Sequence, residues 1–308
     1  MKASAHTEVY RPFKGHVRTR RWRFVPLLSA GIKTALKKRL PLLLLFAPLA
    51  IGTVIFAFVV YSSFAIQAGA PPSALGQPGG LPGLIGSALL AGRAEQLIKA
   101  REMIVTFHLA TNIFSMLLIA WYGAGLLAED RRLGAHLLYF ARPLSRLDYL
   151  TAKFLTVAFF GALGSILPGL IICVIATFAS PEWSFIRSEY DVVLATFGFG
   201  LLWTVLGSSI VLCASSLSSR RIFALIGVFA AFMLVTATGN ILGFLQRDPD
   251  FRALSPFMAA DRIAVFLFDL KRRRAGMDLD LAWISVTSAI LLSWAVTWWR
   301  VKRMDVVS

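Results

Sequence analysis

The sequence predicts an all-α membrane protein of six transmembrane helices with both termini inside, and three observations predict it. Hydrophobic residues make up 57% of the 308-residue chain and charged residues only 16%, against about 25% charged in ordinary soluble domains. A soluble surface of this size needs charge to face water, so the deficit is more telling than the apolar excess. Six runs, 41–66, 103–128, 154–181, 192–219, 222–246 and 281–299, contain no Asp, Glu, Lys or Arg. Each is near or above the ~20 residues that a helix needs to cross a bilayer, and one charge at its centre would cost about 2.5–3.5 kcal/mol. The third observation is that basic residues gather at the ends of these runs. That placement suits membrane orientation, and it turns the formal net charge of +16 away from a nucleic-acid partner.

Orientation follows from counting charges by side. With the N-terminus inside, segments 1–40, 129–153, 220–221 and 300–308 hold 21 Lys and Arg against five acids, and the outer segments hold 11 against 11. The net charge then sits on one face. The cluster "KRRR" at 271–274 opposes this, because basic clusters usually stay inside. Domain organisation is correspondingly simple: a basic tail and helix over 1–40, one membrane domain over 41–299, and a short tail over 300–308.

In chain order, the N-terminal forty residues are too long and too basic for a secretory signal. Within "RFVPLLSAGIKTALKKR", Leu28, Ile32, Ala35 and Leu36 share one helical face while Lys33, Lys37 and Lys38 lie opposite, which predicts an interfacial helix against anionic headgroups. Pro41 is expected to break it from the first span. Residues 67–83 are a Gly/Pro-rich connector, and a helix from about Leu84 to Glu102 is expected to lead into the second span. Between the second and third spans, Leu133, Leu137, Leu138, Ala141 and Leu144 form an apolar stripe that Arg142–Pro143 stops. Ser145 with Asp148 matches a capping box opening a new helix into the third span. Ser255 and Pro256 open a further helix over 255–274, and its Phe257, Ile263, Val265, Phe266 and Leu270 make it apolar enough to lie against the membrane. Cys173 and Cys213 both lie in apolar spans and read as buried free thiols.

The run Glu129-Asp130-Arg131-Arg132-Leu133-Gly134, then Arg142-Pro143-Leu144-Ser145-Arg146, Tyr149-Leu150 and Lys153, resembles the permease subunits of type-2 ABC transporters. In that family an acidic residue and a glycine precede P-[LIV]-S/T-R, followed by an aromatic-Leu pair and a Lys opening the next span. "LSPF" at 254–257 and "RVKRMDVV" at 300–307 resemble its closing segments. The resemblance implies six spans, an N-terminal elbow helix and an outer helical insertion between spans five and six. It also implies that residues 129–150 seat in a groove of a separate ATP-binding subunit. Glu129 and Arg131 would meet that subunit's charges, Gly134 would allow close backbone approach, and Pro143 would set the bend; Asp130, Arg142, Arg146 and Lys153 complete the motif. ATP and Mg would be bound by the partner, and two permease copies or paralogues would pair in a prokaryotic inner membrane.

The chain itself carries no phosphate loop, since no lysine follows a glycine, and no H-E-x-x-H, G-x-S-x-G or metal-spaced Cys/His cluster. A non-catalytic subunit without its own cofactor is therefore expected. His108, Asn112, Ser115 and Tyr122 can share one face of the second span. They read either as part of a translocation path or as interhelical hydrogen bonds that pack the bundle. Gly161, Gly164, Gly198 and Gly200 read as close-packing positions. The functional expectation is the permease of an ATP-driven exporter, with membrane lipids around it. The alternative is a membrane anchor or force-transmitting subunit of an envelope machine with an outer partner. A secondary transporter is disfavoured because the spans lack Asp, Glu, Lys and Arg.

Overall fold

The computed structural model describes residues 23–37, 39–67, 100–135, 139, 144–270 and 276–303. Among them every regular element is helical: α1 (Val25–Leu36), α2 (Arg39–Gln67), α3 (Ala100–Gly123), α4 (Ala128–Arg132), α5 (Arg146–Gly164), α6 (Ile166–Ala179), α7 (Ser184–Ser188), α8 (Tyr190–Leu217), α9 (Arg221–Leu245), α10 (Pro256–Leu267) and α11 (Leu279–Lys302). Six stretches are long and apolar enough to cross a membrane: Leu43–Ala65, Arg101–Arg132, Arg146–Ala179, Tyr190–Leu217, Arg221–Leu245 and Leu279–Lys302. The all-α, six-span membrane class expected from the charge-free runs is the class observed.

Helix α8 is the hub, packing on α3, α5, α6, α9, α10 and α11. Phe199, Trp203 and Leu206 are buried along it, among the small residues Gly200, Thr204, Gly207 and Ser208. The second span is the most enclosed, whereas α2, α9 and α11 turn most of their apolar surface outward. Leu234 and Phe244 on α9 and Leu291 and Leu292 on α11 are exposed, as suits helices whose solvent on that side is lipid. The third span is not one rod. Pro168, with no N–H to give Gly164, follows a break at Ser165 (φ −120°, ψ −55°) and divides it into α5 and α6.

Several local expectations are corrected. α2 begins at Arg39, so Pro41 lies within its first turn, where a missing N–H costs nothing, and the break from α1 falls before it. α1 lays Leu27, Leu28, Gly31, Ile32 and Ala35 half-buried on the bundle while Leu36 is exposed. Gly31 makes that docking close, because a Cβ there would stand 2.9 Å from Thr156 Oγ1 of α5. The stripe through Leu133 does not continue one helix to Pro143: α4 ends at Arg132 and Gly134 takes φ 67°, a left-handed stop that glycine adopts freely. α10 stops at Leu267, followed by Asp269 at φ 48°. Of the five predicted apolar positions, Phe257, Ile263 and Val265 on α10 and Leu270 beyond it are buried in the protein, and only Phe266 is exposed. Gly161, Gly164 and Gly200 do sit where a Cβ would crowd a neighbouring helix, but Gly198 faces open space. The connector at 67–83 beyond Gln67, the helix expected over 84–99 and the cluster at 271–274 lie outside the described residues.

Candidate coupling surface and interior polar seam

The end of the second span is tied to the end of the fourth by several straps, the first of them a buried hydroxyl. Gly123 ends α3 where a Cβ would come 2.5 Å from Val211 Cγ1. After this break Leu127 N and Ala128 N donate to Ser215 Oγ (3.0 and 3.2 Å), which itself donates to Ala124 O at 2.8 Å. The amides that would be orphaned at a helix start are thus satisfied from α8. Arg131 returns the favour. Its Nη1 donates to Ser216 O at 2.7 Å and its Nη2 to Ser218 O at 2.6 Å, capping carbonyls at the C-terminus of α8 with a positive charge. Arg221 Nη2 donates to Trp121 O at 2.6 Å, a third strap between the same two chain regions.

A second knot holds α4 to α5. Asp130 Oδ2 accepts from Lys153 Nζ and from the Tyr149 hydroxyl, both at 2.7 Å, and Lys153 also stands 5.7 and 5.5 Å from the ring centroids of Tyr139 and Tyr149. Lys153 is buried, so pairing is what makes its charge tolerable there. α5 itself starts with the capping box between Ser145 and Asp148, and Arg146 Nη1 donates to Lys302 O at 2.9 Å, joining it to the end of α11. Of the residues expected at a partner surface, then, Asp130, Arg131 and Lys153 turn inward, Gly134 ends a helix, and Glu129 is half-buried. Arg132 and Leu133 are exposed, Leu133 at 70%. Arg142 and Pro143 lie outside the described residues.

The four residues expected on one face of the second span are all buried, but they meet different neighbours. His108 packs against Phe199 and Phe268, and fits because Gly169 has no side chain: a Cβ there would lie 2.7 Å from His108 Nε2. Asn112 Nδ2 donates to Asp261 Oδ1 at 3.0 Å. Ser115 faces Gly164, while Tyr122 stacks on Phe160 with centroids 3.9 Å apart. Buried polar atoms of His108, Ser115, Ser165, Trp203, Thr204 and Ser208 have no hydrogen-bond partner among the described residues. These under-satisfied groups form a polar seam on α3, α8 and the α5–α6 break, beside the interhelical bond from Asn112 to α10.

Asp261 and Arg101 were not singled out in the sequence. The signal for Asp261 was present, because Phe257, Ala260, Asp261, Ala264 and Phe268 recur at helical spacing and put the acid on the face that α10 buries. Burial pushes its carboxyl from the ordinary 3.8 up to about 7, and the Asn112 hydrogen bond opposes that rise. At the same end of the bundle Arg101 donates to Glu189 Oε2 and Asp191 Oδ2, each at 2.7 Å, and to Phe268 O at 3.2 Å. It joins the starts of α3 and α8 to the end of α10.

A search of curated proteins finds no match to the chain. The family profile described as "ABC-2 family transporter protein" matches residues 100–260, just over half of the sequence. The matched region takes in Arg101, the strapped α3–α4 junction and the polar seam, and by that match the chain belongs to the ABC-2 family of membrane-spanning transporter permeases.

Proposed function

We propose that the chain is the non-catalytic permease subunit of an ATP-driven exporter, moved by a separate ATPase subunit that binds ATP and Mg. Subunits of this family generally work with such a partner. The observation that carries the reading is the double knot at one end of the bundle. Ser215 and Arg131 bind α4 to α8, and Asp130 binds α4 to Lys153 of α5. A displacement applied to residues 129–150 would therefore reach three spans at once. Two of them, α3 and α8, carry the seam of under-satisfied polar groups at His108, Ser115, Thr204 and Ser208. Rearrangement of that seam would give a substrate polar partners that the resting bundle does not use.

In this reading the strapped end faces the cytoplasm of a prokaryotic inner membrane, α1 is the elbow helix, α10 belongs to the outer gate, and two permeases pair. Exposed Arg132 and Leu133, with Glu129, Gly134, Arg142, Pro143 and Arg146, present the contact to the ATPase, and Asp130, Arg131 and Lys153 hold that contact to the spans. The two roles separate experimentally. Arg132→Ala is expected to weaken co-purification of the ATPase subunit. Arg131→Ala is expected to retain the partner but lose the dependence of ATP hydrolysis on the permease. Unchanged binding and unchanged hydrolysis in both variants would overturn the assignment.

A further inference from the structure

Beneath α1 lies a cleft of about 260 Å³, just under the ~300 Å³ at which small-molecule pockets begin. A space of that volume is of headgroup size and too small for a whole lipid. Its walls come from α1, the end of α3, α4, α5 and the first residue of α9, and its polar lining includes Tyr122, Glu129, Asp130, Lys153 and Arg221. Three features of that lining point to a ligand.

The Tyr122 side chain is only 9% exposed and lines the cleft, yet its hydroxyl has no hydrogen-bond partner among the described residues. A buried hydroxyl left unpaired has given up its water contacts without compensation. The Glu129 carboxylate likewise takes part in no hydrogen bond or ion pair with the described residues. Arg221 lies beside it: both side chains flank Gly125, with Glu129 Oε1 3.0 Å and Arg221 Cδ 3.3 Å from where a Cβ would stand. Acid and base are thus adjacent without forming a salt bridge. Arg221 is instead held over Trp121, its guanidinium carbon 4.4 Å from the ring centroid and one nitrogen spent on Trp121 O, with further N–H groups of its five left to donate.

The charge balance selects the ligand. Asp130 and Lys153 satisfy each other at 2.7 Å, which leaves one carboxylate and one guanidinium facing the same small space. An anionic headgroup would meet Glu129 with repulsion, and a simple cation would leave Arg221 unmatched. A group carrying both charges matches both.

We propose that this cleft binds a zwitterionic headgroup of the phosphoethanolamine type, with the ammonium donating to Glu129 and the Tyr122 hydroxyl and the phosphate accepting from Arg221. The site spans α4 and α9, so its occupant bridges the strapped end of the bundle and belongs to it as a structural ligand. This assignment rests on the cleft and on the membrane location of the chain, and stands whether or not an ATPase drives it.

The test is native mass spectrometry of the full-length protein in detergent, titrated in parallel with dioleoyl phosphatidylethanolamine and dioleoyl phosphatidylglycerol. Losing one charge-assisted contact is worth roughly a tenfold change in retention. Phosphatidylethanolamine is therefore expected to be retained about tenfold over phosphatidylglycerol, and Glu129→Gln to abolish that preference. Tyr122→Phe keeps the stack on Phe160 and is expected to reduce retention several-fold, so it decides the matter if the first variant does not fold. Equal retention of the two lipids by the unaltered protein, or an undiminished preference in folded Tyr122→Phe and Glu129→Gln proteins, would overturn the proposal. Glycerophosphoethanolamine in solution distinguishes the source: full competition supports the headgroup chemistry as taken from the aqueous side, and lack of competition supports it as taken from the bilayer.

Discussion

Replacing Asp261 with asparagine should make the protein more stable at pH 8 and remove a pH dependence that the native chain carries. The Asp261 carboxyl sits on the buried face of α10 with Asn112 as its donor at 3.0 Å. Its folded-state value is raised from 3.8 to about 7. Between those values the folded chain holds a proton that the unfolded chain has released, so stability falls as pH rises through that window. Below about 4 both states are protonated and nothing is lost; above about 7 both are ionised and the full cost of a desolvated carboxylate is felt. About two of the three pH units lie between pH 5 and 7, and at 1.36 kcal/mol per unit that is ~2.7 kcal/mol. Asp261 keeps partial exposure, so water relieves some of this and ~2 kcal/mol is the expected figure. Asparagine preserves an acceptor for Asn112 and never ionises. The assay is the thermal midpoint in detergent at pH 5 and pH 8 for both proteins. The native midpoint should fall on going to pH 8 by more than that of the variant. Parallel pH dependences would refute the reasoning, because they would mean that Asp261 ionises in the bundle without cost.

Two further substitutions test the packing that surrounds the candidate site. Ser215→Ala removes an acceptor from the buried amides of Leu127 and Ala128, at about 1–3 kcal/mol for each stranded group; it should lower the thermal midpoint and accelerate hydrogen exchange at those two amides specifically. Gly169→Ala places a Cβ 2.7 Å from both His108 Nε2 and Thr196 Cγ2, so overpacking of ~1–3 kcal/mol is expected. Combining it with His108→Ala should cost less than the sum of the single changes, since the two side chains compete for one space, and additive midpoints would contradict that.

The spans were legible because a charge in lipid is penalised at every position, so its absence over twenty residues carries information by itself. The Ser145–Asp148 capping box was legible for the opposite reason: it is a local bond three residues long. What was hidden depends on partners far away in the chain. Arg131 looks like a solvent-facing charge in its own segment, and only the arrival of Ser216 and Ser218, 85 and 87 residues later, turns it inward. The resemblance implies Gly134 as a close-approach position, and its φ of 67° adds a local role that the segment does not announce, as the stop of α4. The apolar stripe predicted over 255–274 does not say whether lipid or protein covers it. Asp261 within that stripe was the clue that favoured protein, because a carboxylate facing hydrocarbon has no donor such as Asn112 to meet.

The break at Ser165 gives the third span a joint part-way along its length. α3 and α8 run uninterrupted for 24 and 28 residues, so axial load applied at the knotted end is carried along them to the region of Arg101. The same load entering α5 at Arg146 meets a joint after 19 residues, where Pro168 has no N–H to give Gly164 and the Ser165 hydroxyl has no hydrogen-bond partner among the described residues. α6, packed on α2 and α8, is therefore decoupled in bending from α5, and the half of the third span beside Gly169 and His108 can keep its position while the other half tilts.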